Sequence, residues 1–276
     1  MTASFTRRLL LAAMATWLTA CTQVSTTEGG AIGVERKQRM FALLSNEQVN
    51  QMAAQSYAGS LDQARKQGRL NTDAAITKRV RAVSQKLIPQ VVAFRKDALG
   101  WPWEVNVERN DELNAYCAPG GKIMFFTGIV ERLKLSDDEI AAIMGHEMAH
   151  ALREHGRERM SEVYAKQIGL QLFSAVTGGE YDQYLSLADQ VATVAYSLPH
   201  SRKHESEADA IGLELAARAG YDPRAAITLW QKMAAVGGGQ PPQFLSTHPS
   251  NDTRIREMQA LMPRVVPLYE VARNKG

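Results

Sequence analysis

One helix-length stretch constrains this chain more than any other. From Ile140 to Leu152 nearly every residue is apolar, yet the run carries His146, Glu147 and His150. An all-apolar helix is a buried helix, and two imidazoles and a carboxyl are costly to bury unless something coordinates them. Residues four apart on a helix are separated by about 40° around its axis and ~6 Å along it. His146 and His150 therefore project from one face, close enough for both imidazoles to hold one Zn²⁺. Glu147 reaches the same side, where it can take a proton from an attacking water and pass it to a leaving amine. Ser136 with Glu139 forms a capping box that starts this helix.

A tetrahedral catalytic zinc needs a third protein ligand. The chain has six histidines, and position 156, where a histidine-rich spacing would put the third ligand, is Gly156. A downstream Glu or His must serve. In the segment Ser201 to Gly212, Glu205 and Asp209 are four apart and share a helix face. One carboxylate there can bind the metal while the other orients a metal-bound histidine through its second ring nitrogen. By composition alone the same segment reads as a charged, solvated helix start. His155 lies on another face of the zinc helix and is expected at the surface. His200 and His204 are expected to be structural or exposed.

These motifs together resemble the gluzincin zinc metallopeptidases of the HtpX, CAAX prenyl protease and mitochondrial Oma group. The likeness is greatest to the soluble periplasmic lipoprotein branch typified by BepA and LoiP, and it covers roughly residues 45–260. The resemblance implies a zincin-like fold with one zinc per chain. Its ligands would be His146, His150 and Glu205, with Glu147 catalytic and Asp209 supporting a zinc histidine. It makes Glu207 a bystander and gives His248, in the His248-Pro249 motif with Arg254, a regulatory or ligand-like role. Asn114 and Ala115, with Pro119, Gly120, Gly121 and Gly128, look like the strand segment before the zinc helix. Asn114 and Ala115 are candidates for binding an extended substrate backbone along a sheet edge.

The rest of the chain fits an α+β, mostly helical architecture with a small sheet of about three strands beside the active-site helix. Ser45 and Gln48 cap a helix to about Gly68, and Thr72 opens a second running past Val91. The strands are expected around 101–107, at Asn114 to Ala118, and at Lys122 to Thr127. Further helices are expected near 158–176, 180–198, 201–219 and 223–236. Two of these are too short and polar to span a membrane.

Residues 1–20 read as a secretory signal, with Arg7 and Arg8 ahead of an apolar run from Leu9 to Leu18. Leu18, Thr19, Ala20 and Cys21 resemble a lipobox, which makes Cys21 the expected site of lipidation. Thr22 after it implies the outer membrane, facing the periplasm. Residues 21–44 are then expected to be a lipidated N-terminus and flexible tether, and 45–276 the metallopeptidase domain. Cys117 is expected to be a buried, inert thiol. A net charge of +3, two of it in the leader, excludes the basic stripe that nucleic-acid binding needs. The expected activity is endopeptidase action on periplasmic and outer-membrane proteins in envelope quality control. A chaperone-like assembly factor with a latent protease site is the alternative.

Overall fold

The computed structural model describes residues 21–42, 44–165, 201–236, 243–248 and 252–274. The signal segment 1–20, His200, Pro249 and the helices expected within 166–200 lie outside the described residues.

Helix α1 (Asn46–Lys66) begins at the capping box that the sequence announces, with Ser45 and Gln48 each bonding the other's backbone. Helix α2 (Ala74–Leu87) starts one residue later than expected after Thr72, because the Asp73 carboxylate caps it by accepting the Ile76 N–H. It also stops before Val91. Pro89 has no N–H to continue the ladder, and Ile88–Ala93 tightens into a 3₁₀ turn. The sheet is as expected in size: β3 (Glu104–Glu108), β4 (Ala115–Ala118) and β5 (Lys122–Phe126) in the order β3-β5-β4. β3 runs parallel to β5, and β4 runs antiparallel to it with Ala115 opposite Phe125. The β4–β5 turn needs glycine: Gly121 has φ +83°, and a Cβ there would lie 2.7 Å from the Trp103 ring.

After the short α3 (Thr127–Arg132), α4 (Asp137–Leu152) carries the histidine motif behind its Ser136–Glu139 capping box. From Glu139 to Leu152 every residue of α4 is buried. Residues 155–165 are also helical. Helix α5 (Arg202–Arg218) is capped by Ser201, followed by α6 (Ala225–Ala235), α7 (Gln243–Thr247) and α8 (Asp252–Arg273). One hydrophobic core unites α2, the sheet, α4, α5 and α6. Helices α4 and α5 cross at paired glycines. A Cβ on Gly145 would lie 2.8 Å from the Gly212 carbonyl oxygen, and one on Gly212 2.7 Å from the His146 nitrogen. This close approach brings the carboxylates of α5 to the histidines of α4.

The stretch expected to be a flexible tether is built into the fold. β1 (Cys21–Val24) pairs antiparallel with β2 (Gln38–Phe41). Between them, the Ala31 and Ile32 N–H groups donate to the fully buried Glu214 carboxylate of α5 at 3.1 and 3.0 Å. The lack of hydrophobic periodicity misleads here, because polar bonds and a few scattered apolar side chains, Ile32, Met40 and Phe41, hold the segment down without a regular apolar face.

Candidate metal centre

Four buried side chains, His146, His150, Glu205 and His248, each offer a ligand atom within 4.8 Å of the others. His146 Nε2 lies 3.1 Å from His150 Nε2 and 3.3 Å from His248 Nδ1. Glu205 oxygens lie 3.5 Å from each of the His146 and His150 Nε2 atoms, and 3.1 Å from His248 Nδ1. Zinc–nitrogen and zinc–oxygen bonds of ~2.0–2.1 Å in a tetrahedron put donor atoms about 3.4 Å apart. The observed spacings match that edge length, so the residues present fit zinc.

Tautomers support the fit. Asp209 Oδ1 lies 3.0 Å from His146 Nδ1, and Asp209 is held ionised by Arg254, which donates to its two oxygens at 2.7 Å each. A carboxylate only accepts, so His146 Nδ1 carries the proton and a neutral ring turns its Nε2 lone pair toward the cluster. Burial pulls the His146 imidazole down, but Asp209 and Glu205 outweigh it and lift the group to about 9. The centre thus selects a positive charge at that nitrogen, a proton or a metal. Burial opposes ionisation of Glu205 as well, yet His248 and His146 hold it well below the usual carboxylate range. Arg254 also forms an ion pair with Glu205 at 2.8 Å and lies 4.0 Å over the Trp230 ring.

Glu147 is buried, and among the described residues no hydrogen-bond donor reaches its Oε1. Burial pushes its carboxyl above the usual range, against the pull of His248 and His146. A carboxylate held this way is primed to accept a proton. His248 Nε2 approaches the same Oε1 to 3.4 Å, so the two nitrogens of that ring face the metal centre and Glu147. The His248 ring stacks on Phe244, centroids 4.6 Å apart, which holds it there.

A cleft of about 390 Å³ opens beside Glu147, His150 and His248, with β4 along one wall. β4 is an edge strand. The Phe126 N–H donates to Asn114 O, so by antiparallel alternation the Ala115 and Cys117 main-chain groups point away from β5. The Cys117 N–H reaches Glu147, which sets this edge against the centre. Asn114 lines the cleft, but its carbonyl is used within the sheet. The Cys117 thiol is buried and raised well above its ordinary value by that burial, in keeping with an inert side chain.

Two sequence expectations need correction. His155 is not at the surface: it is fully buried, 2.9 Å from His150 Nδ1 and 3.0 Å from Glu207 Oε2, and burial drags it to about 3. Glu207 is no bystander facing solvent. It accepts from Arg36, Arg153 and His155, and although burial works against the charge these partners hold it at about 2. His204, expected to be structural or exposed, is the former: it is buried, 3.1 Å from Glu158. Charged residues at close spacing look solvated in sequence; here they neutralise one another inside. Arg254 entered the sequence reading only as part of the His248-Pro249 motif, without a role, and Arg159 not at all. Arg254 had a signal, its place six residues past His248. Arg159 lines the cleft, where burial pulls it to about 10 against the pull of Glu205 and Glu147.

Comparison with known proteins agrees with this centre. The Mitochondrial metalloendopeptidase OMA1 of Arabidopsis thaliana is 40% identical over 156 residues, 56% of this chain and 30% of that protein. The human Metalloendopeptidase OMA1, mitochondrial, is 30% identical over 242 residues, 83% of this chain and 45% of that one. The Beta-barrel assembly-enhancing protease of Yersinia pestis is 24% identical over 193 residues, 67% of this chain and 38% of that one. The chain thus spans less than half the length of these relatives. The profile of Peptidase family M48 matches residues 74–262, well over half the chain and the whole of the centre built above. The chain belongs to peptidase family M48.

Proposed function

We propose that this M48 metallopeptidase is a zinc-dependent endopeptidase that cleaves unfolded or misassembled proteins of the bacterial cell envelope. The observation that carries the reading is the tetrahedral spacing of His146, His150 and Glu205, with Glu147 beside them at the mouth of a cleft edged by β4. Zinc bound there supplies a Lewis acid that polarises a scissile carbonyl and acidifies water. The chain's own groups do the rest. The Ala115 main-chain groups and the Cys117 carbonyl are offered to an extended peptide lying along β4, the Cys117 N–H being taken by Glu147. Glu147 takes the proton of the attacking water and delivers it to the leaving nitrogen. Arg159 presents a cation from the cleft wall to the charge that develops on the carbonyl oxygen. Asp209 and Arg254 keep His146 in register.

The address is argued from the leader-like segment ending at Cys21 and from the relative named as a β-barrel assembly-enhancing protease. Acylation of Cys21 would anchor the chain in the outer membrane, facing the periplasm. Among the described residues no helix is long and apolar enough to cross a membrane. Fatty-acid labelling that marks the wild type and spares Cys21→Ala is the expected result; equal labelling of both removes the anchor from the proposal.

A second reading, an assembly factor whose protease stays latent, has one observation in its favour. His248 Nδ1 occupies the fourth corner of the donor set, where water would enter. Casein cleavage by purified protein decides between the readings. Glu147→Gln is expected to keep one zinc per chain and to lose at least about 10²-fold in cleavage. A metal-loaded Glu147→Gln protein cleaving at the wild-type rate would remove Glu147 from the mechanism.

A further inference from the structure

We propose that His155 is a positioning residue for the metal centre, bonded to His150 on one side and Glu207 on the other so that His150 turns its Nε2 lone pair to the metal. The inference rests on the zinc-ligand reading above and adds to it a second supporting arm, separate from Asp209 and Arg254.

The hydrogen-bond directions can be read from the far end of the chain of contacts. Glu207 accepts from Arg36 and from Arg153 Nε, the latter at 3.1 Å. Between two guanidiniums it is a carboxylate and can only accept. His155 Nε2, 3.0 Å from Glu207 Oε2, is therefore the donor. The ring is fully buried, beside Arg153 and stacked on the imidazole of His204, centroids 4.3 Å apart. A second proton there is unfavourable, which leaves His155 Nδ1 as an acceptor. Its neighbour at 2.9 Å is His150 Nδ1, which must donate. The remaining nitrogen of His150, Nε2, is then unprotonated and faces His146 Nε2 and Glu205.

The same neighbourhood contains a triad, His155, Glu158 and His204, close enough to hold a second cation. Its bonding argues against that use. Both nitrogens of His155 are engaged, and Glu158 already takes Arg36 at 2.6 and 2.9 Å and Gln38 at 2.7 Å. The positive charge needed there is supplied by arginine.

The test uses the full chain and three substitutions at one position. His155→Phe keeps the volume and the stack on His204 but removes both nitrogens. His155→Asn places its amide oxygen near the site of Nδ1 and keeps an acceptor for His150, whereas His155→Gln reaches toward Glu207 instead. Zinc affinity is measured by chelator competition, and the visible spectrum of the cobalt(II)-loaded protein reports the ligand geometry. The expected result is a 10–100-fold loss of zinc affinity and an altered cobalt spectrum for His155→Phe, with His155→Asn close to wild type. A packing role predicts the reverse order, with Phe mild and Asn severe, and that order overturns the proposal. So does a wild-type chain that binds two zinc ions and loses one on His204→Ala. Should His155→Phe fail to fold, Asn retaining more zinc than Gln supports the relay, and the opposite order overturns it. His150→Ala is the control: if it holds zinc like wild type, the ligand assignment itself falls, whatever His155 does.

Discussion

Glu205 and Glu207 stand two residues apart on one helix and serve different partners. Glu205 faces the histidines and Arg254, whereas Glu207 faces His155, Arg153 and Arg36. Glu205→Ala is expected to leave the chain without zinc after dialysis, and Asp209→Ala to lower zinc affinity about 10–100-fold. Sequence reasoning made Glu207→Ala nearly neutral. With the buried Arg153 stripped of the carboxylate it pairs with and Arg36 left to Glu158 alone, the expected cost is instead about 3 kcal/mol or more, visible as a large drop in melting temperature. At His248 the expectation runs the other way. Its ring fills the corner where water would enter and crowds Glu147, so His248→Ala should raise casein cleavage several-fold while zinc stays bound; a loss of both would make His248 an ordinary ligand. The motif residues were legible because a four-residue spacing on an apolar helix has few explanations. His155 was not legible, because its partner lies 52 positions away and nothing local distinguishes it from a surface histidine.

The helix pair α4–α5 depends on a contact between two backbones. Gly145 and Gly212 let the axes approach until His146 and Asp209 can bond. Gly212→Ala places a methyl group 2.7 Å from the His146 nitrogen, and the helices must part. The expected result is a destabilisation of about 1–3 kcal/mol or more, accompanied by weaker zinc binding although no ligand has changed. Unchanged zinc affinity in that variant would show that the centre tolerates a wider crossing. The capping boxes of α1 and α4 and the strands of the sheet were readable because caps and turns are local signals. The order β3-β5-β4 was not, since nothing in three short apolar runs says which lies in the middle. That order is what leaves β4 at the edge, beside the cleft.

Across the whole molecule, the charges buried around Arg36 and Arg153 set the response to acid. Glu207 is held at about 2 in the folded chain, against 4.5 for a free glutamate, and Glu158 is depressed further. Carboxylates with lowered values stabilise the fold above about pH 4.5 and lose that contribution as the pH falls through the folded value. Thermal melts should therefore fall between pH 4.5 and about 2, and Glu207→Gln should flatten that slope. The expected boundary at residue 45 failed for the same reason: Arg36, Gln38 and Thr27 belong to the network, and polar anchors leave no hydrophobic rhythm to read. Arg36→Ala should cost about 2–3 kcal/mol, somewhat less than a fully buried pair because Arg36 is partly exposed.

The bond from Arg36 to Glu207 also has a mechanical meaning. If the chain hangs from a bilayer by Cys21, the load passes through the β1–β2 pair and the Ala31–Ile32 anchor to Arg36, whose partner Glu207 braces the imidazole beside a zinc histidine. A pull on the leash, or a nick in it, would then be felt at the active centre as a slackened ligand, and the enzyme would weaken when it came adrift.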